Sequence, residues 1–139
     1  MKISTLLVVG LFFAIASAYG QTASDWPCAD DFKKAEAGTL RIRVSMGVSV
    51  GLAEKKVLPD VSGLEHSNAK SDVAVRVVVG KDGVVRCAEA VEGNGDLWAR
   101  SVEAAKQWRF RPYILNGEPV IMETMIKFAF NKKKVSLGD

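Results

Sequence analysis

One histidine, two cysteines and four prolines are all that this 139-residue chain holds of three residue types on which many functions depend. A lone histidine leaves no second imidazole for a metal cluster and little from which to build a catalytic triad. Two cysteines cannot supply a four-ligand zinc site, although they can form one disulfide. The scarcity of proline excludes a long polyproline spacer. A net charge of +3 is too weak a field to mark a nucleic-acid binder by itself. With 48% hydrophobic residues, that small charge also excludes wholesale disorder. The length suits one domain with its own core.

Long apolar runs are scarce as well. Residues 6–16 (LLVVGLFFAIA) follow Met1-Lys2 and lead to Ala16-Ser17-Ala18, with Ala18-Tyr19-Gly20 as a second small-x-small site. This is the layout of a secretory signal peptide. A spanning helix needs roughly 20 apolar residues, so cleavage is expected and an uncleaved inner-membrane anchor is the alternative. Cys28 follows Asp25-Trp26-Pro27 rather than an apolar lipobox, which disfavours a lipid anchor. The expected division is a signal peptide over 1–20, a lead-in arm over 21–38, a domain over 39–131 and a basic tail over 132–139. The mature protein is then periplasmic or secreted. In an oxidising space Cys28 and Cys87 are expected to pair, a bond worth ~2–4 kcal/mol; two unpaired thiols are the alternative.

The arm has no clean period beyond one helical turn at 30–37. From Leu40 to Val50 apolar and polar residues alternate, which predicts a strand with one buried face, bent near Gly47 and Gly51. Residues 58–72 read mostly as loop. Residues 73–79 are β-branched and strand-like, and Asp82-Gly83 supplies a hairpin turn. The return strand over 84–91 needs a bulge to bring Val85, Ala88 and Ala90 to one side. Asn94 or Asp96 caps a helix over 97–108, with Leu97, Trp98, Val102, Ala105 and Trp108 on one face. Pro112 forces the chain out of helix. Asn116-Gly117 is a second hairpin turn, and the last strand runs over 120–130. The expected fold class is α+β: a small antiparallel sheet of about three or four strands packed against one long helix.

Chemistry-bearing constellations are sparse. His66 sits in Glu65-His66-Ser67 with no partner imidazole in the chain, and reads as a solvated loop residue. Gly93-Asn94-Gly95 lacks the third glycine and the lysine of a phosphate loop. Asp30-Asp31 falls in the arm, where solvation explains it. No catalytic residues, no metal ligands and no cofactor are expected. Trp108-Arg109-Phe110-Arg111-Pro112-Tyr113 interleaves bases with aromatics, as a nucleic-acid surface does. Without a broad basic field, a helix end with aromatics inward and arginines outward explains it better, and no nucleic-acid partner is expected. The Lys132-Lys133-Lys134 run reads as a solvated end that guards the sheet edge.

Several of these stretches resemble the C-terminal domain of TonB-type energy transducers. The resemblance rests on Gly80-Lys81-Asp82-Gly83, Gly93, Leu97, residues 104–112 (AAKQWRFRP), Asn116-Gly117-Glu118-Pro119-Val120 and Phe128-Ala129-Phe130, and residues 41–57 resemble a lead-in strand of one branch. Its motif residues are Asp82, Gly83, Trp108, Arg109, Phe110, Pro112, Asn116 and Gly117. The resemblance implies a periplasmic, non-catalytic module that pairs an extended peptide of an outer-membrane transporter, or another envelope protein, with the edge of the last strand. The implied edge residues are Val120, Met122, Glu123, Thr124, Met125 and Lys127. That strand is alternatively covered by the lead-in strand or by a second copy in a homodimer.

The chain departs from the family at Leu58-Pro59, where Tyr-Pro opens a helix. It also lacks the Pro-rich spacer, and the arm of about twenty residues reaches at most roughly 70 Å at ~3.5 Å each. The expectation is therefore a binding head for energy-dependent transport. A membrane-anchored minimal transducer is the first alternative, and a small secreted enzyme the distant one.

Overall fold

The computed structural model describes residues 40–64, 70–131 and 134–139. The expected leader, the arm with Cys28, the turn at 30–37, His66 and the pair Lys132-Lys133 lie outside the described residues. Eight strands are described: β1 (Arg41–Arg43), β2 (Ala53–Lys55), β3 (Lys70–Val79), β4 (Val85–Glu92), β5 (Arg109–Phe110), β6 (Tyr113–Leu115), β7 (Glu118–Asn131) and β8 (Lys134–Leu137). Two helices accompany them, α1 (Met46–Leu52) and α2 (Trp98–Lys106). The α+β class holds, but its detail differs from expectation. A six-stranded sheet in the order β1-β7-β3-β4, with β6 and β8 also on β7, stands beside a two-stranded β2-β5 pair. In place of one long helix there are two of 7 and 9 residues.

The hairpin β3-β4 turns at Gly80–Gly83, where Asp82 Oδ1 accepts the Val84 amide at 3.1 Å. Val79 pairs with Val85 but Val78 with Cys87, so Arg86 bulges and the pleat reverses. That slip carries Val85, Ala88 and Ala90 onto the helix-facing side of the sheet, as the apolar pattern required. There they meet Val73, Val75, Val77 and Val79 of β3 and Met122, Ile126, Phe128 and Phe130 of β7. Cys87 falls on the other face, buried with Val78 and Ile121. Its sulfur is not a free thiol.

The α2 helix rests on this face through small residues. Asn94 Oδ1 accepts the Asp96 amide at 3.0 Å and starts a 3₁₀ turn over Gly95–Leu97. Leu97, Ser101, Ala104, Ala105 and Trp108 are buried, a three-and-four spacing whose short side chains let the helix approach the strands. Trp98, expected on that face, is 41% exposed and donates to the Gly93 carbonyl at 3.2 Å.

The largest departure lies before the family-like core. The alternation over 40–50 yields only β1; Ser45 then caps α1 by accepting the Val48 amide at 3.5 Å. Met46, Ser49, Val50 and Ala53 recur at helical spacing, and the period-three-and-four pattern wins because Ser49 finds a buried partner in β7. Val48 is left 48% exposed. Propensity is a weak guide against such a tertiary contact. The expected basic tail is also structured from Lys134, where β8 folds back onto β7.

Residues 58–64 form a loop, as expected, but β3 already begins at Lys70. Arg100 of α2 clamps the loop, donating to the carbonyls of Asp60 at 2.6 Å and Ser62 at 3.1 Å. The Asp60 carboxylate accepts the Ser62 hydroxyl at 2.7 Å and its amide at 2.9 Å. These bonds, the hydroxyl foremost, hold the carboxyl below its ordinary value, with help from Arg100. A depressed folded-state value means the loop gains stability once Asp60 ionises and loses it as pH falls through that value. Carboxyl NMR titration is expected to place Asp60 below a free aspartate, and Ser62→Ala to move it up. An unshifted Asp60 in the parent, or an unmoved one in S62A, refutes this cause.

Candidate functional site

β7 is the central strand of the sheet, not its edge. One side is taken by β3, which pairs with β7 from Met122 to Asn131, and by β6 opposite Glu118 to Val120. On the other side β1 runs parallel opposite Ile121, Met122 and Glu123, and β8 antiparallel opposite Phe128 to Asn131. The expectation of an open edge along this strand is corrected accordingly. The reason lies in the segments flanking the strand, whose pairing partners no local pattern names.

One interruption remains. Ile121 N–H donates to Leu40, Glu123 accepts from Val44 and Lys127 accepts from Gly138 on this side, at 3.1, 2.9 and 2.8 Å. Alternate residues of a strand aim their peptide groups at the same edge. Met125 therefore points its N–H and C=O to this side, where no described strand faces it. A cleft of about 220 Å³ opens there, lined by Arg43, Val44, Ser45, Met46, Arg76, Glu123, Thr124 and Met125.

The six expected edge residues thus have different fates. Val120 and Met122 are buried, Val120 opposite Tyr113 and Met122 in the core. Thr124 is buried too, its hydroxyl 3.1 Å from the Val44 carbonyl and 3.0 Å from Ser49 Oγ. This contact fastens α1 to β7 and forms one wall of the cleft. Glu123 meets Arg41 at 2.7 Å, Arg43 at 3.3 Å and Arg76 at 3.8 Å. Only Met125, half-buried, and Lys127, exposed, combine an open side chain with the gap. The alternation of Arg41 and Arg43 is the sequence signal for this charged face.

The motif residues build the scaffold. Trp108 is fully buried, its indole N–H donating to the Val57 carbonyl at 2.8 Å and its ring meeting Phe128 edge-on at 6.4 Å. Arg109 caps the end of α2 by donating to the carbonyls of Trp108 at 2.8 Å and Lys106 at 3.2 Å. Phe110 is buried and pairs with Ala53, while Arg109 and Arg111 are exposed. Asp82 binds Arg86 at 2.7 Å. Asn116 and Gly117 have φ of 52° and 81°, the two positive values of a type I′ hairpin turn. Exposed Pro112 lies between β5 and β6.

These elements define an α+β domain organised around one long strand with a narrow break in its edge. Residues 64–131 match the Gram-negative bacterial TonB protein C-terminal domain. Comparison with curated proteins finds no match. That similarity points to TonB-like energy transduction in the cell envelope, to a non-catalytic domain, and to outer-membrane transporters as the usual partners of the matched family. Both strands that narrow the edge, β1 and β8, lie outside the matched stretch.

Proposed function

We propose that this protein is a non-catalytic periplasmic binding module. It accepts an extended segment of an outer-membrane transporter or another envelope protein as a strand on β7, in the place that β8 occupies. In this reading the signal peptide over 1–20 is removed, and a Cys28–Cys87 disulfide ties the arm over 21–38 to β4. The observation that carries the proposal is the edge of β7, open at Met125 and covered next to it by only the four residues of β8. A strand of four residues, held by few bonds, is a segment that opens at low cost. Opening β8 frees the edge from Met125 to Asn131, and main-chain hydrogen bonding there supplies affinity.

Two substitutions test this in opposite directions. Ser136 pairs with Ala129, so Ser136→Pro weakens β8 and is expected to tighten binding of envelope-derived extended peptides about tenfold, or ~1.4 kcal/mol. Met125→Pro removes the outward N–H without removing a bond to β3, and is expected to abolish binding. Fluorescence anisotropy reads both. Unchanged affinity in the two variants would falsify strand addition at β7.

A further inference from the structure

We infer that the strand accepted here is amphipathic and acidic, with aliphatic residues two apart on one face and a carboxylate on the other beside Arg43 and Lys127. This rests on the strand-addition reading and adds the chemistry of the partner. The first half follows from what β8 now does. Val135 lies opposite Phe130 and Leu137 opposite Phe128, and both are partly buried against the main core. A strand that replaces β8 must refill those two places with aliphatic side chains, because Phe128 and Phe130 otherwise meet water. A period of two then sends its intervening residues to the opposite face.

That opposite face is basic around the gap. Met125 has Arg76 directly across on β3, Lys127 two residues along its own strand, and Arg43 in the facing wall of the cleft. Arg43 spends one guanidinium nitrogen on Glu123 at 3.3 Å while its side chain stays 80% exposed. A guanidinium has five N–H donors in a fixed fork, so Arg43 can hold Glu123 and a second carboxylate together. Glu123 Oε1 holds one corner of that fork at 3.3 Å while its Oε2 meets Arg41 at 2.7 Å, leaving the rest of the exposed fork for a second carboxylate. A cross-strand neighbour of Met125 carrying a carboxylate gains contact with Arg43 and Lys127, whereas a lysine there is repelled.

The test uses the full chain and three short peptides with identical alternating aliphatic residues. Their intervening positions carry glutamate, glutamine or lysine. Anisotropy at low salt is expected to rank glutamate first, about tenfold over glutamine, with lysine last. Added salt narrows the gap. Arg43→Glu, at an exposed position, is expected to bring lysine above glutamate, and Arg43→Gln to level glutamate with glutamine. Circular dichroism confirms folding of both variants. Equal binding of glutamate and glutamine peptides overturns the acidic preference while leaving strand addition intact. Equal binding after the aliphatic residues become serine overturns the amphipathic requirement. If no peptide binds, the strand-addition reading falls, and this inference with it.

Discussion

Trp108→Ala is expected to leave the chain close to unfolding at room temperature. The indole is fully buried and contacts Phe110 at 5.8 Å and Phe128 at 6.4 Å between ring centres. Truncating a buried tryptophan costs about 3–5 kcal/mol, against a total of roughly 5–15 kcal/mol for a domain. The loss includes more than volume. The N–H bond to Val57 at 2.8 Å holds the segment after β2 against the end of α2, and losing such a part-buried bond costs about 1 kcal/mol. Trp108→Phe should therefore recover much of the packing but not this bond, and fall between parent and alanine. Trp98→Ala, at a position 41% exposed, is expected to cost at most about 1 kcal/mol. Urea titration followed by circular dichroism separates the three; equal losses at positions 98 and 108 would refute the placement of the core.

The second large effect is expected at Gly83. Its φ is +79°, and an added Cβ would lie 1.8 Å from the Phe110 carbonyl oxygen. That oxygen belongs to the main chain of β5, which is tied to the same glycine by the Phe110 N–H bond to the Gly83 carbonyl at 2.9 Å. Relief thus requires the hairpin and β5 to separate. A left-handed conformation alone costs an alanine about 1–2 kcal/mol, and with the clash Gly83→Ala should lose about 3 kcal/mol or more. Gly117→Ala isolates the first contribution, because Gly117 has a similar φ of +81° with nothing near its added Cβ. A Gly83 loss no greater than that of Gly117 in the same titration would show that the close approach to Phe110 is absent.

Local chemistry made the central hairpin legible. Asp82-Gly83 fixed the turn, and the run of valines in β3 forced the bulge at Arg86 before Val85 and Ala88 could share a face. Trp108 and Phe110 announced themselves as core between exposed arginines, and Asn116-Gly117 specified its turn type. Sequence could not reveal which strands flank β7, because pairing is a contact between distant segments. Leu40 to Val50 fits both a period of two and a helical spacing; the hydroxyl contact from Ser49 to Thr124 decides between them, and it spans 75 positions. Val135 and Leu137 carry the same ambiguity on a shorter scale. They look like the end of a charged tail until Phe128 and Phe130 lie opposite. The candidate edge was thus legible as a strand but not as a covered one.

The parallel pairing of β1 with β7 has a mechanical consequence. Tension applied through the residues before Leu40, along the strand direction, would slide β1 past β7 and load the bonds Ile121 to Leu40 and Val44 to Glu123 in shear. The antiparallel β8, pulled away from β7 at Leu137, instead peels one bond at a time and yields at low force. The same edge of β7 is therefore bounded by a clamp on one side of Met125 and a zipper on the other.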